Sequence, residues 1–287
     1  MIVMTGANGR LGRLVAKALA RRGAAEQVLL GTRDPGKIAD LAALGFKTAR
    51  IDFSDLGSMR AAFADAATVL MISMPGPIPL RIPLHRSALE AVKLAGVGRL
   101  VYTSRVNPLK ESLYPFAPIH VFSEGYINEI GVPATILRNN EYVENIGWLV
   151  KAAATSGKLV LPGAVGRVPY MAVADIAEIT AKVLIEDGHT GKTYELNGPE
   201  ALHRSEIAVR ISDAAKRPVE AVPITRDEYG KFMEDHGRPP FVVEMLKGFY
   251  EAIDAGEFAE VHPDAPRLLG HPTQSIGEFI SRIVAAA

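Results

Sequence analysis

Apolar residues in the first half of the chain follow two alternating rhythms. Short apolar runs read as strands: MIVMTG at the start, QVLLGT (27–32), FKTARID (46–52), ATVLMIS (67–73), RLVYTS (99–104) and ATILR (134–138). ATVLMIS is apolar throughout, as a strand buried on both faces should be. Between these runs the apolar positions recur every three or four residues. Residues 10–22 carry Leu11, Leu14, Val15, Ala18 and Leu19 on one stripe and stop at Gly23. Further helices are predicted over 35–44, after the capping pair Asp34-Pro35, from Ser58–Phe63, over 83–95 and over 119–130. Strands separated by helices pair in parallel through right-handed crossovers, so residues 1–138 predict an α/β doubly wound parallel sheet.

After residue 139 the rhythm changes. Residues 141–156 look helical; Gly157, Pro162, Gly163 and Gly166 then break the chain. VPYMAV (168–173) reads as a short strand leading into a helix headed by Asp175, and KTYELNG (192–198) as another strand. The rest is mainly helical, interrupted by Pro218, Pro239-Pro240 and Pro263, and Ser275 with Glu278 has capping-box spacing. Residues 139–287 therefore predict a smaller, mainly helical lobe interleaved with the first sheet.

Composition narrows the function classes. Lysine plus arginine (32) equals aspartate plus glutamate (32), so no bulk charge holds nucleic acid by counterion release, and no nucleic-acid partner is expected. Cysteine is absent, which excludes disulfides, thiolate nucleophiles and cysteine–metal sites. The seven histidines lack metal-ligand spacing, so no metal is expected. No apolar run reaches the ~18 residues of a membrane span, so no membrane partner is expected. With no basic, apolar leader at the start, a cytoplasmic location is expected.

The most informative segment is Gly6-Ala7-Asn8-Gly9-Arg10-Leu11-Gly12, which follows a strand and opens a helix. Gly6, Gly9 and Gly12 suit a tight turn, close approach of a pyrophosphate, and packing of helix against strand. A glycine triplet alone is weak, but the strand, helix and second strand stand at the right distances for a dinucleotide-binding (Rossmann) unit. The end of the second strand selects the cofactor. Arg33 suits a 2′-phosphate, hence NADP(H) in preference to NAD(H), whereas Asp34 either opposes that phosphate or caps the next turn. Ligands in such sheets lie beyond the carboxyl ends of the strands. Asp52 and Phe53 are placed there to meet the adenine, and Ser73, Met74, Pro75 and Ser104 to line the cofactor; plain turn chemistry is the alternative reading of the serines.

With these residues in place, the chain resembles the NmrA-like branch of the atypical short-chain dehydrogenase/reductases. Within it, the chain is similar to triphenylmethane reductases and type 2 NAD(P)H:quinone oxidoreductases. The matching segments span nearly the whole chain: TGANGRLG (5–12), RDPGK (33–37), GVGRLVYTS (96–104), VPATILRNNEYVEN (132–145), EDGHTGKTYELNG (186–198) and LLGHPTQSIGEFI (268–280). The resemblance implies that Asn8, Gly9, Arg10 and Leu11 wrap the pyrophosphate and that Arg33 holds the 2′-phosphate. It also implies that Ser73 to Pro75, Ser104 and Asn139 run toward the nicotinamide, and that the protein is a homodimer. One departure is Gly125, where the quinone reductases carry lysine, which leans toward the dye-reductase side.

Most short-chain reductases protonate the reduced carbonyl with a Tyr-x-x-x-Lys pair. None of the eight tyrosines here has a lysine four residues later. That favours a small aromatic or conjugated, electron-poor acceptor, quinone-like or dye-like, which needs no strong acid at the moment of hydride transfer. It disfavours a simple carbonyl or an epimerisable sugar. A non-catalytic NAD(P)-binding redox sensor fits the missing pair equally well. His120 and Tyr142 are the candidate catalytic groups; each has a structural alternative, a satisfied core histidine and a packed tyrosine. Trp148, Phe241, Phe249 and Tyr250 either wall an aromatic pocket or form core.

Overall fold

The computed structural model describes residues 1–163 and 165–286. In chain order its elements are β1 (Ile2–Met4), α1 (Arg10–Arg21), β2 (Val28–Thr32), α2 (Ala39–Ala42), β3 (Lys47–Arg50), α3 (Leu56–Phe63), β4 (Thr68–Met71), α4 (Ile78–Leu94), β5 (Arg99–Arg105), α5 (Ala117–Ile130) and β6 (Ala134–Asn139). There follow α6 (Gly147–Ser156), β7 (Lys158–Pro162), α7 (Val173–Ile185), β8 (Thr193–Leu196), α8 (Arg204–Ala215), β9 (Glu220–Ile224), α9 (Arg226–Asp235), α10 (Pro240–Asp254), α11 (Asp264–Leu269) and α12 (Ile276–Ala285). The chain divides into two compact units. The first comprises Met1–Arg105, Ile119–Asn139 and Val173–Glu195; the second comprises Val106–Pro118, Asn140–Ala172 and Leu196–Ala287.

The first unit is built on a seven-stranded sheet of order β3-β2-β1-β4-β5-β6-β8. The pairs β1–β2, β1–β4, β2–β3, β4–β5 and β5–β6 are all parallel. Strand order reverses at β1, which pairs with β2 on one edge and β4 on the other, so a crevice opens at the carboxyl ends of β1 and β4. The predicted doubly wound sheet is the one observed. Its core on one face gathers Val3, Met59, Phe63, Val69, Leu89, Leu100 and Tyr102, contributed by alternate strand positions and the inner stripes of α3 and α4. On α1 the predicted stripe is buried at Leu11, Val15, Ala18 and Leu19, while Leu14 lies half-buried at its margin.

Several element boundaries differ from the sequence expectation. The segment after Asp34 is a 3-10 turn (Pro35–Ile38) followed by the single turn α2, rather than one helix. Helix α4 starts at Ile78, five residues earlier than expected, because Pro79 falls in the first turn, where its missing N–H costs nothing. VPYMAV makes only isolated bridges, Val168 with Leu202 and Met171 with Tyr142, so it is not a strand.

In the second unit β7 and β9 form a parallel pair that the sequence did not suggest. Gly157, Pro162 and Pro218 read as breakers there, yet all are accommodated in or beside a two-stranded sheet that is edge on both sides. The core of this unit includes Phe249 and Tyr250, buried among Tyr114, Tyr229 and Phe258. Trp148 and Phe241 are not core: they are 43% and 37% exposed. Ser275 and Glu278 form the expected capping box of α12.

Candidate functional site

The turn between β1 and α1 is tied into the sheet by its own backbone. Thr5 N–H donates to Leu70 O (2.9 Å), Ala7 N–H to Gly31 O (3.0 Å), and Gly9 N–H closes the turn on Gly6 O (3.0 Å). Gly6 takes φ +69°, a left-handed conformation that a side chain disfavours. At Gly12 a Cβ would lie 2.3 Å from Gly6 O and 2.9 Å from Ala7 Cα, so only glycine lets α1 start this close to the turn. Leu11 is buried and anchors the first turn of α1, and Arg10 opens that turn. Gly9 caps α1 without a side-chain acceptor, and no carboxylate lies in the first turn. The first N–H groups of a helix have no intrahelical partner and carry the positive end of its dipole, so this turn is a cradle for an anion.

Arg33 lies exposed just past the end of β2. Asp34 beside it caps the following turn, accepting from Gly36 N–H (3.1 Å), with Lys37 Nζ 3.9 Å from its carboxylate. Arg13 joins this turn to the glycine loop, a link that no local pattern signals. Its guanidinium donates to both oxygens of Asp40 (3.0 and 2.8 Å), to Lys37 O (2.5 Å) and to Asn8 Oδ1 (3.2 Å). The bond from Arg13 holds the Asp40 carboxyl below its usual range. Past β3, Asp52 accepts from the Ser54 hydroxyl (2.7 Å) and N–H (3.0 Å). Those bonds, with the charges of Arg50 and Arg33, hold Asp52 below the ordinary carboxylate range. Phe53 is half-buried, its ring edge-on to His85 with centroids 6.4 Å apart.

Ser73, Met74 and Pro75 follow β4. Ser73 N–H donates to Thr103 Oγ1 (2.9 Å), which fastens this segment to β5. The Ser73 hydroxyl meets Arg81 Nη2 (2.9 Å) and His85 Nε2 (3.4 Å) from α4. His85 Nδ1 meets Ser123 Oγ on α5 (2.8 Å). Burial, with the nearby Arg81 charge, pushes the His85 pKa down to about 3, so the ring is neutral. On β5, Ser104 donates to Glu124 Oε1 (2.6 Å). Arg138 grips both Glu124 oxygens (Nε 3.0 Å, Nη2 2.6 Å) and reaches Glu195 (2.8 Å). Those bonds, Glu124 first, raise the Arg138 pKa above its ordinary value. Asn139 ends β6 level with Arg105 of β5 and is buried.

The candidate catalytic residues stand in different units. His120 lies in the first turn of α5, buried, with Nδ1 3.0 Å from the hydroxyl of fully buried Tyr102. Burial first, then the charge of Arg81, holds His120 well below its ordinary range, while burial pushes Tyr102 up. Tyr142 belongs to the second unit, where it is half-buried and precedes the 3-10 turn Val143–Ile146. The glycine loop, Arg33, Asp52, Phe53, Ser73 to Pro75, Ser104, Asn139 and His120 all belong to the first unit, most of them at the carboxyl ends of its strands. Arg81, His85 and Glu124 were not singled out from the sequence. The first two left a legible signal: four residues apart, they lie on the buried stripe of α4 with Ala88, Leu89 and Val92.

Comparison with known proteins agrees with this geometry. A family model described as NAD(P)H-binding matches residues 6–187. The chain is 29% identical to quinone oxidoreductase 2 of Escherichia coli over 283 residues, covering 99% of this chain and 98% of that protein. It is 25% identical to NAD(P)H azoreductase of Xenophilus azovorans, covering 100% and 99%. The crystal structure of Citrobacter sp. triphenylmethane reductase complexed with NADP(H) matches with a TM-score of 0.93 at 30% identity, covering 99% of this chain and 100% of that one. On the cradle at Gly12 and on these matches, the chain belongs to the NAD(P)H-binding family.

Proposed function

We propose that this protein is an NAD(P)H-dependent oxidoreductase that passes hydride to a small, conjugated, electron-poor acceptor, quinone-like or triphenylmethane-dye-like. The observation that carries the reading is the turn at Gly6–Gly12. It combines a helix start without carboxylates and a contact at Gly12 that no side chain permits. When bound, the reduced nicotinamide supplies the hydride. The protein's part is binding and orientation. In this reading the loop N–H groups and Asn8 hold the pyrophosphate, Arg13 sets Asn8, and Asp52 and Phe53 border the adenosine. Ser73 to Pro75, Ser104 and Asn139 line the path to the reactive ring.

Preference for NADP(H) belongs to the same proposal. Arg33 is exposed for a 2′-phosphate, and Asp34 is engaged as a cap, which removes the objection that it stands against that phosphate. His120 and Tyr102 are proposed as a buried support of β5 rather than a source of protons, because burial holds the histidine neutral and the phenol protonated. Tyr142 is proposed as a group that orients the acceptor or donates a proton late in the reaction. The missing Tyr-x-x-x-Lys pair supports acceptors that spread incoming charge over a ring. The test is absorbance at the reduced-nicotinamide band with NADPH and a panel of quinones and cationic dyes. Turnover above the protein-free rate is expected with at least one of them. Tight NADPH binding with no turnover on any acceptor would refute the enzyme and favour a redox sensor.

A further inference from the structure

The hydrogen-bond directions at the ends of β4 and β5 can be worked out proton by proton. Ser123 has one hydroxyl proton and donates it to Ile119 O (2.8 Å), a carbonyl that only accepts. Its 2.8 Å contact with His85 Nδ1 therefore needs the proton on Nδ1. A neutral imidazole carries one N–H, so His85 Nε2 is a bare acceptor facing Ser73 Oγ. The Ser73 hydroxyl receives the N–H of Arg81 on one lone pair and turns its proton inward, where His85 Nε2 and the Tyr102 phenol oxygen both face it. Ser104 is fixed the same way by a different group: its proton goes to the Glu124 carboxylate at 2.6 Å, and Arg138 pins that carboxylate on both oxygens. Both strand-end serines thus spend their protons inward, on groups of the α4–α5 layer and its surroundings.

The two serines are also matched in position. The last registered pair of β4 and β5 is Met71 with Tyr102; Ser73 and Ser104 each follow two residues later, with Ser73 N–H fastened to Thr103 of β5. Both side chains bond to the α4–α5 layer, hence they share one face of the sheet. Neighbouring strands are about 4.8 Å apart. A primary amide nitrogen sends its two N–H bonds roughly 120° apart, and at about 2.9 Å each they reach acceptors about 5 Å apart.

We propose that Glu124 and His85 are positioning residues that set Ser104 and Ser73 as a pair of hydrogen-bond acceptors for a primary carboxamide, that of the nicotinamide ring. This rests on the cofactor reading above and deepens it. A corollary is that neither serine has a proton to offer a reduced acceptor.

The test compares NADPH with its 3-acetylpyridine analogue, in which a methyl replaces the amide NH2, by calorimetric titration of the full-length protein. With two hydrogen bonds at stake, the parent is expected to bind the analogue about 10-fold or more weakly than NADPH. Ser104→Ala and Ser73→Ala are each expected to narrow that gap to about threefold. Glu124→Gln is expected to narrow it as well, although the serine is retained, because an amide no longer holds Ser104 and Arg138 together. A merely structural role would change stability and leave this ratio alone. Equal affinities of the parent for both compounds, or an undiminished gap in both serine variants, would overturn the inference while leaving the cofactor reading intact. A parent that binds neither compound would overturn both.

Discussion

Replacing Gly12 by alanine adds one methyl group at the tightest point of the glycine loop. Two effects compete. Alanine favours a helix over glycine by about 1 kcal/mol, which would stabilise α1. Against that, the new Cβ would sit 2.3 Å from Gly6 O and 2.9 Å from Ala7 Cα, where ordinary contact begins near 3.4 Å. Both neighbours are backbone, so the loop or the helix must move by about 1 Å, an overpacking that costs roughly 1–3 kcal/mol. The clash wins. Net of the propensity gain the cost is about 0–2 kcal/mol, so we expect Gly12→Ala to lower Tm by up to about 8 °C and to weaken NADPH binding at least about 10-fold, since displaced N–H groups lose charge-assisted bonds. Gly125 provides the control. It lies on the exposed face of α5, and nothing stands within 4 Å of a Cβ added there. With no clash to oppose it, propensity decides, and Gly125→Ala is expected to raise Tm by a few degrees. Thermal unfolding and calorimetric titration of the two variants beside the parent make the assay. Parent-like NADPH affinity in Gly12→Ala would refute the assignment of this turn to the cofactor. A destabilised Gly125→Ala would refute the reasoning from space and propensity.

Other perturbations probe separate parts of the molecule. Arg33→Ala should weaken NADPH much more than NADH in titrations; an equal loss for both would place Arg33 away from the 2′-phosphate. Arg13→Leu should weaken NADPH binding by unlinking Asn8 from the turn at Lys37 and Asp40, and Arg13→Lys should restore little of it, since an ammonium cannot grip both Asp40 oxygens while reaching Asn8. Parent-like affinity in either variant would show the bridge to be incidental. The buried histidines predict a pH dependence. His85 titrates near 6.5 unfolded and about 3 folded, so below pH 6.5 the unfolded chain binds a proton that the native state refuses. Stability is complete above pH 6.5 and falls toward pH 3 by up to about 1.4 kcal/mol per pH unit for each such histidine, His120 acting in the same direction. Urea unfolding between pH 7.5 and about 4.5, above the carboxylate range, should show this decline, and a flat profile would contradict it.

Much of this was legible in the sequence because it is local. The glycine loop depends on residues within one turn and the start of one helix. The cap at Asp34 and the capping box at Ser275 and Glu278 each span three or four residues. The periods of two and 3.6 name the strands and helices of the first unit without reference to their neighbours. What the sequence left unsettled involves distant partners. β7 and β9 pair across some sixty residues, and the prolines around them speak only for local breaks. Phe249 and Tyr250 are core whereas Trp148 and Phe241 are exposed, a division that helical spacing does not contain.

The alternation of apolar runs, the spacing of Gly6, Gly9 and Gly12, and the absence of cysteine and of a Tyr-x-x-x-Lys pair determined the sheet, the cofactor class and the chemistry it favours. Those follow from backbone conformation and composition, which each short stretch carries with it. Only the tertiary structure decided that Arg13 spans two loops, that Asp34 is occupied as a cap, and that Ser73 and Ser104 turn their protons inward. A hydroxyl has no preferred direction of its own. Its polarity is set by whichever donors and acceptors the fold brings within hydrogen-bonding reach, and here those come from α4 and α5, between eight and twenty residues along the chain.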